Sequence, residues 1–406
     1  MKGLIEDQWP GLVARISNRI DLAAAAYRSG AFRQGRGVPD AETLLRLALA
    51  HGACGLSLRE TCAWAEESGL ARLSNPALTK RLQHSPGWLA EIAAALLAPS
   101  AARLANRPPR RIRLLDATTL CQPAATGASW RLHVAFDLVA GRVEQLTVSD
   151  GRGGERLDRF APEPGVLDIA DAAYASAPRM RERLAAGGEL LVRLDWRGAR
   201  LFEPAEEGGR RRFALFEALR AMPGPNGEWL VRVDDGQSSA EPLLMRLIAC
   251  RKPSEACAQS RRRVRERARQ KKQTVDARTF EAADYVLLLT SLPAAAFPPA
   301  AVLDLYRLRW QIELAFKRWK SLFDLDELPA KTAELAMAWI LAKLIAVLLI
   351  DDETAAWREL FPPQPDRDDC DDRTAAALPL ELRPTPLATP QGRHPHRRHP
   401  ARMDAG

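Results

Sequence analysis

Paired cysteines are missing from this sequence. Its six cysteines, Cys54, Cys62, Cys121, Cys250, Cys257 and Cys370, are scattered and form no C-x-x-C. That leaves no legible disulfide framework or zinc site and fits a reducing cytoplasm. Histidine is also sparse. Three of the six lie in the last 46 residues, and His51, His84 and His133 stand in no motif. The N-terminus "MKGLIEDQWPGLVARI" has no uninterrupted apolar core, so it does not read as a signal peptide. The most apolar stretch, residues 333–350, carries Glu334 and Lys343 and reads as a buried helix, so no membrane partner is expected. Internal repeats are absent.

What is present is length, apolar content and positive charge. The 406 residues are 47% hydrophobic, enough for more than one core. A net charge of +8 favours an anionic partner such as nucleic acid, although many basic proteins bind none.

Residues 1–105 read as wholly helical. Within them "SLRETCAWAEESGLARLSNPALTKRL" suggests two helices around a turn, over about 57–84. Ser57 and Glu60 suit a capping box, Gly69 ends the first helix, and Asn75 with Pro76 suits the start of the second. Lys80 and Arg81 follow on that second helix. A DNA-binding helix-turn-helix and an ordinary helical hairpin both fit this pattern. "ANRPPRR" (105–111) reads as a linker.

The period then changes. "RIRLLDATTL", "SWRLHVAFDL" and "GRVEQLTVSD" are three neighbouring strands, "GGERLDRFAP" a short helix, and "GVLDIADAAY" and "ELLVRLDW" two more strands. Residues 197–283 are irregular and polar. They include 251–273, where ten Lys or Arg meet two Glu, among them Arg261, Arg262, Arg263 and Arg265. A solvated helix face and a DNA-backbone contact explain that charge equally well. "DYVLLLTSL" restores a strand. After residue 360 the periodicity ends, and nine of the 29 prolines fall in residues 361–406, a composition expected of a disordered tail.

The stretch "YRLRWQIELAFKRWK" (306–320) carries the chemistry. On one helix at ~100° per residue, Tyr306, Arg309, Glu313 and Lys320 share an arc of ~60°. Leu308, Ile312, Ala315, Phe316, Trp319, Leu322 and Phe323 form an adjoining apolar face. A plain Arg309–Glu313 pair would explain the charges but not the aromatic residues beside them. Asp116 in "LLDATT" and Asp171 in "DIADAAY" end strands in this reading. Two such aspartates with a helix glutamate are hard oxygen ligands for divalent ions. Asp137, Asp150, Asp168 and Asp195 compete for the role.

The spacing Y-x2-R-x3-E-x6-K, with "LLDATTL" and "DIADAAYAS", resembles the bacterial DDE transposases of the insertion-sequence-four family. The resemblance runs from about residue 40 to 350. It implies an α/β fold: a ribonuclease H-like core over 110–350 with a β-rich insertion at about 197–283, preceded by an all-helical DNA-binding domain. It implies that Asp116, Asp171 and Glu313 hold two Mg²⁺ or Mn²⁺ ions, and that Tyr306, Arg309 and Lys320 contact phosphates. Trp310 would hold a flipped base or pack in the core. The implied partners are double-stranded DNA, as terminal inverted repeats and target, and a second copy where C-terminal pairing helices are intact. The implied location is the bacterial cytoplasm, at the nucleoid. Two departures stand out. Ala172-Ala173 replaces the family's usual Arg-Gly, and "PPQPDRDDCDDRTAAALPLELRPTP" reads as out-of-frame or decayed sequence. A relic that only binds DNA is therefore the competing expectation.

Overall fold

The computed structural model describes residues 5–98, 111–121, 129–204, 211–234, 243–325, 328 and 332–360. The tail 361–406 and residues 105–110 of the expected linker lie outside the described residues.

Among the described residues the N-terminal part holds α1 (Trp9–Ser17), α2 (Leu22–Ser29), α3 (Ala41–Gly52), α4 (Leu58–Glu67), α5 (Asn75–Gln83) and α6 (Pro86–Leu97). The capping box is present on α4. Ser57 Oγ accepts from the Glu60 amide at 3.2 Å, and the Glu60 carboxylate accepts from the Ser57 amide at 2.8 Å. Gly69 turns the chain at φ +67°. The second helix starts one residue earlier than expected: extended Ser74 is its N-cap, and Asn75 is already helical.

The strands β1 (Arg111–Leu120), β2 (Trp130–Asp137), β3 (Arg142–Asp150), β4 (Val166–Ala170) and β5 (Glu189–Arg193) fall where the sequence put them. Pairing of β1–β2 and β2–β3 is antiparallel, and β4 runs parallel to both β1 and β5. A 3-10 turn (Leu157–Arg159) and helix α7 (Ala177–Ala185) flank β4.

The insertion differs from expectation. It holds β6 (Arg200–Phe202), α8 (Leu215–Arg220), β7 (Asn226–Asp234), β8 (Leu243–Arg251), α9 (Ser254–Lys271) and α10 (Ala277–Ala283), more helix than strand among the described residues. Its strands prolong the central sheet. β9 (Tyr285–Thr290) pairs with β5 on one side and β8 on the other, giving the order β3-β2-β1-β4-β5-β9-β8-β7-β6. The backbone edge that β5 would otherwise expose is thereby covered.

Helices α11 (Pro299–Arg307), α12 (Trp310–Phe323) and α13 (Ala333–Leu360) follow β9 among the described residues. The apolar window of α13 is 78% buried, between the N-terminal helices and the sheet. Where α13 crosses α3, a Cβ on Gly52 would stand 2.5 Å from Ala342 Cβ, so only glycine permits the approach. One hydrophobic core joins Leu44 and Trp88 of the N-terminal helices to Leu114, Ile169, Ile312 and Ile345. The helical N-terminus thus shares its core with the sheet. A second core, including Leu115, Ala170 and Met180, fills the opposite face.

Candidate active site

Register places the two aspartates. β4 pairs with β1 as far as Leu115↔Ala170, so Asp116 and Asp171 are the next residues on adjacent parallel strands. Asp171 follows the end of β4. Asp116 does not end its strand, as the sequence suggested: β1 runs on to Leu120, held by β2 alone. Alternation along β1 puts Asp116 on the face of Ile112 and Leu114, the face covered by α12.

The segment 306–320 is two helices rather than one. The amides of Leu308 and Arg309 bond to the carbonyls of Leu305 and Tyr306, and those of Gln311 and Ile312 to Leu308 and Arg309. These tight i→i+3 bonds separate α11 from α12 and shift the helical phase between them. Tyr306 lies in the last turn of α11, and Arg309 is the N-cap of α12. The tightened junction still aims Arg309 at the carboxylates. Its guanidinium donates to Asp116 Oδ2 at 2.9 Å and also pairs with Glu313. Tyr306 Oη donates to Asp171 at 3.5 Å, the long limit of a hydrogen bond.

Asp116, Glu155, Asp171, Arg309, Glu313, Lys317 and Lys320 line a cavity of about 400 Å³. Burial raises Asp116 from the ordinary 3.8 to about 6, against the pull of Arg309. Burial also works against the Arg309 charge, but Tyr306, Asp116, Glu313 and Asp171 outweigh it and raise its pKa. Tyr306 is pushed up to about 12 by burial and by Asp171, so it remains a donor.

A stability effect follows from the Asp116 shift. An acid whose pKa rises on folding opposes folding once ionised. The penalty is complete above about pH 6 and absent below the unfolded value near 3.8. In EDTA, Asp116→Asn is therefore expected to stabilise the protein by on the order of 2 kcal/mol at pH 8. Denaturation midpoints should show this gain shrinking toward zero by pH 4.

The competing aspartates are engaged elsewhere. Asp137 accepts from the amides of Val139 and Ala140, Asp150 from Arg152, and Asp195 from Arg197. Asp168 is three residues before Asp171 and so points to the other face, where it pairs with Arg113 and Arg183.

A second cavity, of about 890 Å³, shares Asp171 and Arg309 with the first and opens toward α9. Tyr306, Trp310, Arg193, Arg263 and Arg267 are in its lining. Trp310 is 49% exposed, so core packing does not account for it. No α9 residue is buried. Of the four arginines read from the sequence there, only Arg263 lines the cavity. Arg261 pairs with Asp284, Arg262 with Glu266, and Arg265 lies over the Phe280 ring. On α5, Lys80 is exposed, whereas Arg81 donates to the carbonyls of Gln34 and Arg36. Sequence reasoning missed Glu155 and Arg193. Arg193 could have been found as the exposed last residue of a strand beside the Asp171 strand. Glu155 had no motif to mark it.

The cavity's acidic donors are carboxylate oxygens, with no sulfur or imidazole in its lining, a set that would suit a hard divalent cation. Arg309 is shared by Asp116 and Glu313, and among the described residues no three acidic, histidine or cysteine side chains stand together as a ready-made metal cluster.

Residues 107–349 match the family model described as a transposase DDE domain. The putative transposase InsL for insertion sequence element IS186A, from Escherichia coli K12, is 43% identical over 362 residues. That is 88% of this chain and 96% of the relative. The transposase for insertion sequence element IS421, also from Escherichia coli, is 42% identical with the same coverage. The transposase for IS231F, from Bacillus thuringiensis subsp. israelensis, is 26% identical over 62% of this chain and 58% of its own length.

Proposed function

Since the chain belongs to the DDE transposases of insertion sequences, a family of metal-dependent DNA-cleaving enzymes, we propose that Asp116, Asp171 and Glu313 cut DNA at the ends of the chain's own element and rejoin it to a target. The reading places it in the insertion-sequence-four group, with Tyr306, Arg309, Glu313 and Lys320 as its signature. The carrying observation is the convergence of Asp116, Asp171, Glu313 and Arg309 on one cavity from two strands and a helix.

The three carboxylates would hold Mg²⁺ or Mn²⁺ as a two-ion site. Bound there, such ions activate the attacking oxygen and stabilise the leaving one. Water attacks the phosphorus at the element's boundary, and the P–O3′ bond breaks to leave a 3′-OH. That hydroxyl then attacks a target phosphorus, and the target's own P–O3′ bond breaks to release a 3′-OH in the target strand. Arg309 has two employments. Without DNA it separates Asp116 from Glu313, and its planar fork fits a phosphate equally well. A phosphate arriving in the cavity draws the guanidinium over and frees the carboxylates. Lys320 supplies a point charge to the same backbone, and exposed Trp310 offers an aromatic face to an unstacked base. The N-terminal helices, with Lys80 exposed on α5, would read the terminal repeats. A homodimer would pair two ends, acting at the nucleoid in the bacterial cytoplasm.

The test is direct. Full-length protein is incubated with a duplex carrying the element's terminal repeats and Mg²⁺, and new 3′-OH ends are mapped. Nicks at the repeat boundary that vanish in EDTA are expected. Specific binding without nicks in either Mg²⁺ or Mn²⁺ would favour the relic.

The insertion should contribute backbone contacts rather than base reading, because α9 offers arginines without an ordered set of base-reading side chains. Arg263→Gln with Arg267→Gln should weaken end and unrelated DNA alike. It should also reduce the slope of log affinity against log salt by about 2, at ~0.9 per phosphate lost. Arg262→Gln, already paired with Glu266, should change the slope less. A loss confined to end sequences would overturn this.

A further inference from the structure

The turn after β3 delivers a carboxylate to the catalytic cavity that no motif announces. The chain doubles back so closely at Gly153 that a Cβ there would meet Ser149 Oγ at 2.2 Å and its Cβ at 2.7 Å. The next segment is fastened. Arg159 Nε donates to the Gly154 carbonyl at 2.9 Å. The buried Arg183 guanidinium donates to the carbonyls of Leu157, Phe160 and Ala161 at 2.7–2.9 Å. Leu157 and Phe160 are each 1% exposed. Glu155 lies between these anchors, with its side chain 23% exposed, in the cavity shared by Asp116, Asp171 and Glu313.

On the sheet side three carboxylates, Asp116, Glu155 and Asp171, share few cations. Arg131 pairs with Glu155 at 3.4 Å. The other cations of the cavity, Arg309, Lys317 and Lys320, come from the α12 side, and the Arg309 fork is taken by Asp116 and Glu313. Burial, followed by the Asp171 charge, raises the Glu155 pKa, opposed by Arg131 and Arg309. A fastened loop that brings a third carboxylate from the sheet side into the cavity of Asp116 and Asp171 offers a hard cation one more oxygen donor there.

We propose that Glu155 is a fourth carboxylate of the metal site, holding a divalent cation together with Asp116 and Asp171. The proposal rests on the reading of those aspartates as metal ligands. The bland alternative is that Glu155 serves only to fix Arg131.

Mn²⁺ titration followed by electron paramagnetic resonance, on full-length protein bound to an end duplex, separates the two. Glu155→Gln keeps the shape and an acceptor for Arg131. It should lower Mn²⁺ affinity at least ~10-fold, with duplex binding and melting temperature in EDTA unchanged. Glu155→Asp should recover part of the affinity. Arg131→Met should leave affinity equal or higher, because it removes only a competing cation. Unaltered affinity in Glu155→Gln, or an equal loss in Arg131→Met, overturns the proposal. If Asp116→Asn and Asp171→Asn also bind Mn²⁺ like the parent, the metal reading itself fails. If they lose it while Glu155→Gln does not, only the fourth ligand fails.

Discussion

Replacing Glu313 by glutamine is expected to abolish Mg²⁺-dependent cleavage, by ~10³-fold or more, while leaving end binding in EDTA intact. The Glu313 side chain is 50% exposed, at the start of α12, so its charge can be removed without disturbing the core. Arg309 stays anchored to Asp116 at 2.9 Å, so the α11–α12 junction should hold its shape. Asp116→Asn and Asp171→Asn should lose cleavage to the same extent. Groups that act as one unit are not additive, and a double variant should be scarcely worse than a single one. Single-turnover nicking of an end duplex, with binding measured in parallel, supplies both numbers. Substantial nicking by Asp116→Asn or Asp171→Asn would sink the assignment.

Much of this site was legible because its parts are local. Strands β1 to β5 show as short apolar runs, and the Ser57–Glu60 capping box specifies its own helix start. The spacing from Tyr306 to Lys320 picked out side chains that the fold brings beside Asp116 and Asp171, although a single uniform helix was the wrong geometry for them. The break at Leu308–Arg309 involves no proline or glycine. It is a change from i→i+4 to i→i+3 bonding, which residue types do not announce. What stayed hidden was non-local. That β9 would pair with both β5 and β8, drawing the insertion into the main sheet, depends on partners about a hundred residues apart in the β5 case. The burial of α13 against α3 and α6 likewise depends on Gly52 meeting Ala342. Glu155 reaches the cavity through the turn at Gly153, and one glutamate in "GGERLDRF" carries no mark of that. Alternation could have removed one competitor from sequence alone. Asp168 and Asp171 differ by an odd number, so one strand cannot aim both at the same face.

That opposite face carries the largest stability effect expected of any single side chain here. Asp168 is fully buried and receives Arg113 through two hydrogen bonds, at 2.6 and 3.1 Å, and Arg183 at 3.2 Å. Both arginines are nearly solvent-free, at 1% and 2% side-chain exposure. Burial lowers the Arg183 pKa most strongly, Asp168 opposes it, and the nearby Arg113 lowers it further. Asp168→Asn keeps the volume but leaves buried Arg113 with only the longer Glu163 pair, at 3.6 Å, and takes the carboxylate from Arg183, and breaking a buried pair in this way costs ~3–5 kcal/mol. Arg113→Met should cost less, because Asp168 keeps Arg183. Denaturant unfolding of the three proteins gives the ordering. The consequence should reach the active site as well. Arg113 and Arg183 hold the carbonyls of Leu157, Phe160 and Ala161, the stretch that follows Glu155. At a temperature where Asp168→Asn remains folded, its cleavage should fall although Asp168 lies on the far side of the sheet from Asp116. Equal stability of Asp168→Asn and the parent would mean that the two arginines find other partners, and that this cluster does not hold the catalytic loop in place.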